Sequence, residues 1–250
     1  MKRFWTFAVR LIAFVDLVSA LAGTAVAYPS LPAIAWPPCY GFEQVSDGLY
    51  ANGLGTGERL HLQQMVDASR RVVSSYFDSL KSHPRILVCS DDRCFRALGG
   101  GGARAITILD LGLVVSVRGI DPIIVRHELA HAELHAELGI RRTLARTVPQ
   151  WFDEGLAVNV SNDLRYLAPA EAADRCLVEP AGDLPASRAV WIHGAANDLL
   201  YAKAACKVSR WLDGEKGPEK VRALVQSLNA GLSFESAFAN TSDHLPKPKN

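Results

Sequence analysis

The stretch Asp121-Pro-Ile-Ile-Val-Arg-His127-Glu128-Leu-Ala-His131-Ala-Glu-Leu-His135-Ala-Glu-Leu138-Gly139 carries its own start and stop signals. Asp121 is a good N-cap, Pro122 suits the first helical position and Gly139 suits a left-handed residue past the end, so a helix is expected from Pro122 to Leu138. Side chains four apart on a helix meet, so His127 and His131 can converge on one ion. Glu128 stands about 100° round the same helix from His127. That places a carboxylate beside such an ion, where it can take a proton from a bound water. Ile120, Ile123, Ile124, Leu134 and Leu138 share the histidine stripe, so the imidazoles are expected to face the interior. Two core histidines satisfied by backbone carbonyls are the plain alternative.

Trp151-Phe152-Asp153-Glu154-Gly155-Leu156-Ala157 follows twenty residues after His131. It supplies a carboxylate for the third protein position of a catalytic zinc, whose usual donor set is three residues and a water. Asp153 and Glu154 are adjacent, and either could be offered. His135 continues the histidine row but lies a further turn along, about 6 Å of rise beyond His131, too far for the same ion. The glycine and third histidine of the metzincin pattern are missing, since Leu134 and Glu137 occupy those positions.

Together the two runs resemble the gluzincin metallopeptidases, and within them the peptidase-MA-like domains. The resemblance implies one catalytic Zn2+ held by His127, His131 and Glu154, with Glu128 as general base and Asp153 left as an outer or substrate-facing acid. It covers roughly residues 57 to 240, and only these two runs are specific. Gluzincins also place a tyrosine or histidine downstream to stabilise the oxyanion, and Tyr201 and His193 are the candidates here. The related aminopeptidases carry a Gly-x-Met-x-Asn segment with an acid before the asparagine, which anchors a free amine. Here that interval reads Gly101-Gly-Ala-Arg-Ala-Ile106, with no acid, which favours an endopeptidase.

The fold implied is α+β of zincin type: a small mixed β-sheet, an active-site helix and a mainly helical C-terminal part. Leu62, Met65, Val66, Val72, Val73, Tyr76, Phe77 and Leu80 keep helical period, so a long helix is expected from Gly57 to Leu80. Arg85 to Cys89, Ala105 to Leu109 and Leu113 to Val117 read as strands. A strand at the sheet edge would hold an extended peptide by main-chain hydrogen bonds. Gly99 to Gly102 lacks the lysine and serine or threonine of a phosphate loop and is expected to be a lid or turn over the cleft. A helix is expected to open at Gly217-Pro218 and end at Gly231.

Lys2 and Arg3 precede an apolar run that ends in Ala25-Val26-Ala27, the layout of an export signal, either cleaved or retained as an anchor. The domain reading is therefore 1–27 signal or anchor, 28–56 Pro-rich linker and extension, 57–240 catalytic domain and 241–250 loose tail. The catalytic part is expected outside the cytosol, periplasmic if the cell has that compartment, either soluble or tethered to a membrane through its N-terminal segment. Five cysteines fit this placement, with Cys89–Cys94 and Cys176–Cys206 as candidate disulfides and Cys39 left over. With 49% apolar residues and a formal net charge of +1, the 250-residue chain has no electrostatic footprint for nucleic acid. The expected partner is a peptide or protein substrate. An inactive zinc-binding or interaction module of the cell envelope is the alternative from a different class, and retention of Glu128 weighs against it.

Overall fold

The computed structural model describes residues 28–194, 199–212 and 217–242. The signal or anchor expected at 1–27 lies outside these residues, as does the tail from 243 on. In chain order the elements are α1 (Ser30–Ala35), a 3-10 turn (Pro37–Tyr40), β1 (Glu43–Ser46), β2 (Leu49–Ala51), α2 (Thr56–Phe77), β3 (Arg85–Val88), α3 (Asp92–Ala97), β4 (Ala105–Ile108) and β5 (Gly112–Val115). A second 3-10 turn (Val117–Gly119) leads into α4 (Pro122–Leu138), α5 (Ile140–Leu144), α6 (Gln150–Ser161), α7 (Arg188–Gly194), α8 (Leu199–Leu212), α9 (Gly217–Asn229) and α10 (Phe234–Ser242). The protein is mixed α+β, with one five-stranded sheet and ten α-helices among the described residues. No helix there is long and apolar enough to cross a membrane.

The sheet order is β1-β2-β3-β5-β4. β3 pairs in parallel with β2 and β5, while β1 and β4 are antiparallel edges. The central strands Arg85-Ile-Leu-Val88 and Gly112-Leu-Val-Val115 are continuous apolar runs because both faces of the sheet are covered, the usual condition of parallel strands. Alternate residues divide between two cores, as the two-residue repeat of a strand requires. Ile86, Val88, Leu113 and Val115 pack under α2 and α4, with Leu62, Val66, Val73 and Leu129. Leu87 and Val114 point the other way, onto Ala33, Ile34, Phe42, Phe95 and Leu98.

The stretch 28–56 is therefore no linker. It supplies α1, two strands and the buried residues Ala33, Ile34, Phe42, Leu49 and Ala51. Its prolines are absorbed locally, since Pro37-Pro38 opens a 3-10 turn whose missing N–H groups would have no helical partner anyway. Burying one such aliphatic side chain is worth about 1.5–3 kcal/mol, so this segment belongs to the fold. The glycine run is no lid either. A Cβ on Gly100 would stand 2.2 Å from the Phe95 ring and one on Gly99 3.2 Å from Pro29, whereas nothing lies within 4 Å of one on Gly101 or Gly102, so the run starts as a turn packed on the sheet face opposite α4 and continues exposed.

The long helix runs to Phe77, three residues short of Leu80, where Asp78 turns out at φ 74°. The chain after it is fastened to α4 by Glu133, which is fully buried and accepts from Lys81 N (2.7 Å), Ser82 N (2.9 Å) and Ser82 Oγ (2.6 Å). The disulfides are Cys89–Cys94 and Cys176–Cys206, with Cys39 free and exposed. The second ties the irregular chain between α6 and α7 to α8.

Candidate metal centre

α4 takes the expected bounds because its ends are chemically specified. Asp121 Oδ1 accepts from Ile123 N at 2.7 Å, Pro122 follows, and Gly139 leaves the helix at φ 75°. α4 is buried on most sides, so His131 is 8% exposed and His127 is half-buried. α6 crosses it and brings Asp153 and Glu154 against the histidines. The crossing of α6 with α8 has a steric cause, since a Cβ on Gly155 would meet Ala204 O at 2.6 Å and Val208 Cγ2 at 2.7 Å. Asn159 Nδ2 then bridges the two helices, donating to Gly155 O and Ala205 O. Trp151 and Phe152 anchor the start of α6 in an aromatic cluster with Trp211, Phe234 and Phe238. The second sequence run thus has packing reasons for its tryptophan, phenylalanine and glycine, and chemical ones for its two acids.

His127 Nε2, His131 Nε2 and Glu154 Oε2 converge. The separations are 3.1 Å between the imidazole nitrogens, 3.3 Å from His127 to the carboxylate and 3.5 Å from His131 to it. Ligands at the corners of a tetrahedron with bonds of about 2.0–2.2 Å lie about 3.3–3.6 Å apart, so the triangle fits a single small ion. These three are the group of His, Cys, Asp and Glu side chains among the described residues whose ligand atoms are close enough to share a metal. Among the described residues no fourth His, Cys, Asp or Glu side chain joins these three.

Two of the three, His131 and Glu154, are held from behind. His131 Nδ1 stands 2.6 Å from Asp153 Oδ1, which leaves Nε2 to face the triangle. An outer carboxylate on a ligand imidazole fixes its tautomer and ring plane. Glu154 Oε1 accepts from Gln150 Nε2 at 3.0 Å, so Oε2 is the oxygen presented. Burial favours a neutral His131 ring, but the carboxylates of Asp153 and Glu154 outweigh it and raise the imidazole well above its ordinary range. Burial likewise opposes ionisation of the two acids. The imidazoles beside them win, taking Glu154 down to about 2 and Asp153 further. The metal-free centre therefore holds two carboxylates against a charged imidazole, a charge arrangement that a divalent cation can replace.

Glu128 Oε2 accepts from Thr107 Oγ1 at 2.6 Å, and that hydroxyl also lies 3.1 Å from Glu128 O. Thr107 belongs to edge strand β4, so the edge strand runs directly beside the metal helix. Tyr201, on α8, stacks on Tyr166 and meets Trp191 edge-on. Burial first, and then the charge of Glu154, push its hydroxyl far up, with a smaller contribution from Glu128. The phenol is therefore a permanent O–H donor in the neighbourhood of both acids. His193 is exposed on α7, and no contact joins it to the centre among the described residues.

Thr107 and Gln150 were not specified by the sequence patterns, and of the two roles open to Asp153 the structure gives it the outer one, behind His131. Gln150 stands four before Glu154 on one helix, a spacing that could have suggested the pair. Thr107 had no local signal, because strand and helix meet only through the fold. No protein family, curated protein or solved structure matches the chain.

Proposed function

We propose that this chain is a zinc-dependent peptidase that cleaves internal peptide bonds. The observation that carries the reading is the His127, His131 and Glu154 triangle with an additional carboxylate, Glu128, on the next helical position after His127. Two imidazoles and a carboxylate suit zinc. When bound, zinc would acidify a coordinated water and polarise the carbonyl under attack.

The chain's own groups supply the rest. Glu128 accepts a proton as the water oxygen bonds to the carbonyl carbon, then passes that proton to the amine as the C–N bond breaks. Thr107 fixes the rotation of the Glu128 carboxylate. Tyr201, kept protonated by its surroundings, is the donor for the oxyanion in preference to exposed His193. β4 is an antiparallel edge with Thr107 at the centre, so a substrate strand added to it passes the metal. Residues 101–108 contain no acid to hold a free amine, which supports internal cleavage. The N-terminal signal layout and two disulfides support an exported enzyme, soluble or tethered.

Glu128→Gln tests the reading. The variant is expected to retain zinc and to lose about 10²–10⁴-fold in kcat/KM on a cleavable peptide. Unchanged cleavage would remove Glu128 from the mechanism. A zinc-loaded wild type that cleaves no peptide or protein in a broad substrate library would leave a binding module.

A further inference from the structure

We propose that His135 is a positioning residue of the metal centre, acting through Asp153 on the ligand imidazole of His131; this rests on the metal-site reading above. His127, His131 and His135 stand four apart on α4, and the third ring is too far along to share the ion. Its Nε2 instead lies 3.5 Å from Asp153 Oδ2, while Asp153 Oδ1 is 2.6 Å from His131 Nδ1. One half-buried carboxylate therefore spans two imidazoles, one oxygen to each. The rings of His131 and His135 are roughly parallel, with centroids 6.3 Å apart and planes 21° from one another, which suits a carboxylate bridging their edges.

The other nitrogen of His135, Nδ1, is buried with no hydrogen-bond partner. A leucine at this position would fill space without that orphan acceptor, so packing alone does not favour a histidine. What a histidine adds is the contact to Asp153. A carboxylate held at one oxygen can swing about its χ2 bond and tilt the imidazole it supports. Held at both oxygens, it keeps the His131 ring plane, and hence the Nε2 direction at the triangle, in one orientation. The line His135, Asp153, His131 is thus a three-member strut ending at the metal, and its outer member lies two residues removed from the ion.

A double-mutant cycle on zinc affinity tests the strut, using the full chain and a competing chelator. Asp153→Asn is expected to weaken zinc by about 10–100-fold, and His135→Leu by about tenfold, the low end for outer partners of metal-bound histidines. His135→Gln, which keeps an N–H donor, should recover part of the loss. The distinguishing outcome is coupling, because in the Asp153→Asn background His135→Leu should cost nothing further. Cobalt(II) substitution gives a second readout, since an imidazole that tilts changes the visible ligand-field bands. Additive losses, or a His135→Leu variant with wild-type affinity and spectrum, would overturn the inference while leaving the metal site standing. A folded wild type that binds no zinc would overturn the site and the strut together.

Discussion

Two buried glutamates on crossing helices have opposite surroundings. Glu133 on α4 is fully buried, and both its oxygens are taken by fixed donors of the chain, Lys81 N, Ser82 N and Ser82 Oγ. Glu154 on α6 is 9% exposed. One of its oxygens is held by Gln150, and the other faces two imidazole nitrogens that need no carboxylate to fold. Backbone donors cannot leave or exchange, so they close a carboxylate into the structure. Imidazoles can surrender a proton, so they leave a carboxylate able to accept a cation in its place. Burial is common to both residues, and the kind of partner separates a fastening from a binding site.

The sharpest way to break this contrast is to remove each acid in turn. Glu133→Ala should cost about 3–5 kcal/mol of stability, because two N–H groups and a hydroxyl lose their acceptor, with zinc binding retained in the protein that folds. Glu154→Ala should cost the metal-free protein only about 1–2 kcal/mol. Urea denaturation with and without zinc reads both, and equal losses in the two variants would erase the distinction. Gly155→Ala comes next, at about 1–3 kcal/mol, because the added methyl drives α6 away from α8. Its thermal midpoint should fall and its zinc affinity with it, since α6 carries Glu154. A fall in stability with unchanged zinc affinity would show that the helix crossing does not set the position of that ligand.

A smaller effect is expected with pH, and its sign separates the metal-free from the loaded protein. Glu154 and Asp153 have folded values below their ordinary 4.5 and 3.8, so their contribution is present above those values and lost on acidification. His131 is raised above its ordinary 6.5. Its contribution is complete below about 6.5 and is lost as pH rises through the folded value. Metal-free protein should thus be most stable between about pH 4.5 and 6.5 and weaken on the alkaline side. Zinc holds His131 neutral, so that alkaline loss should vanish in the loaded protein, and uptake near pH 7 should release about one proton. Calorimetry in buffers of different ionisation enthalpy measures the proton, and none released would contradict the charged His131.

The metal helix was legible because its signals are local. Asp121, Pro122 and Gly139 fix its ends by backbone chemistry, and the four-residue spacing of the histidines fixes their common face. Glu154 was legible as a ligand only through its sequence context, since Asp153 is its neighbour and a turn of about 100° on α6 decides which acid faces the ion. β1 and β2 were not legible. Glu43-Gln-Val-Ser46 and Leu49-Tyr-Ala51 are four and three residues long, too short to carry a period, and they become strands because β2 finds β3 across the fold. The grip of Thr107 on Glu128 is likewise tertiary, joining residues 21 apart in the chain.

The most direct test is the metal content of the purified chain after adventitious metal has been stripped and zinc restored, for wild type and for Glu154→Ala in parallel. One zinc per wild-type chain, with a large loss in the variant, is the expected result. A folded wild type without zinc, or a variant that holds it as tightly, would contradict the site built from His127, His131 and Glu154.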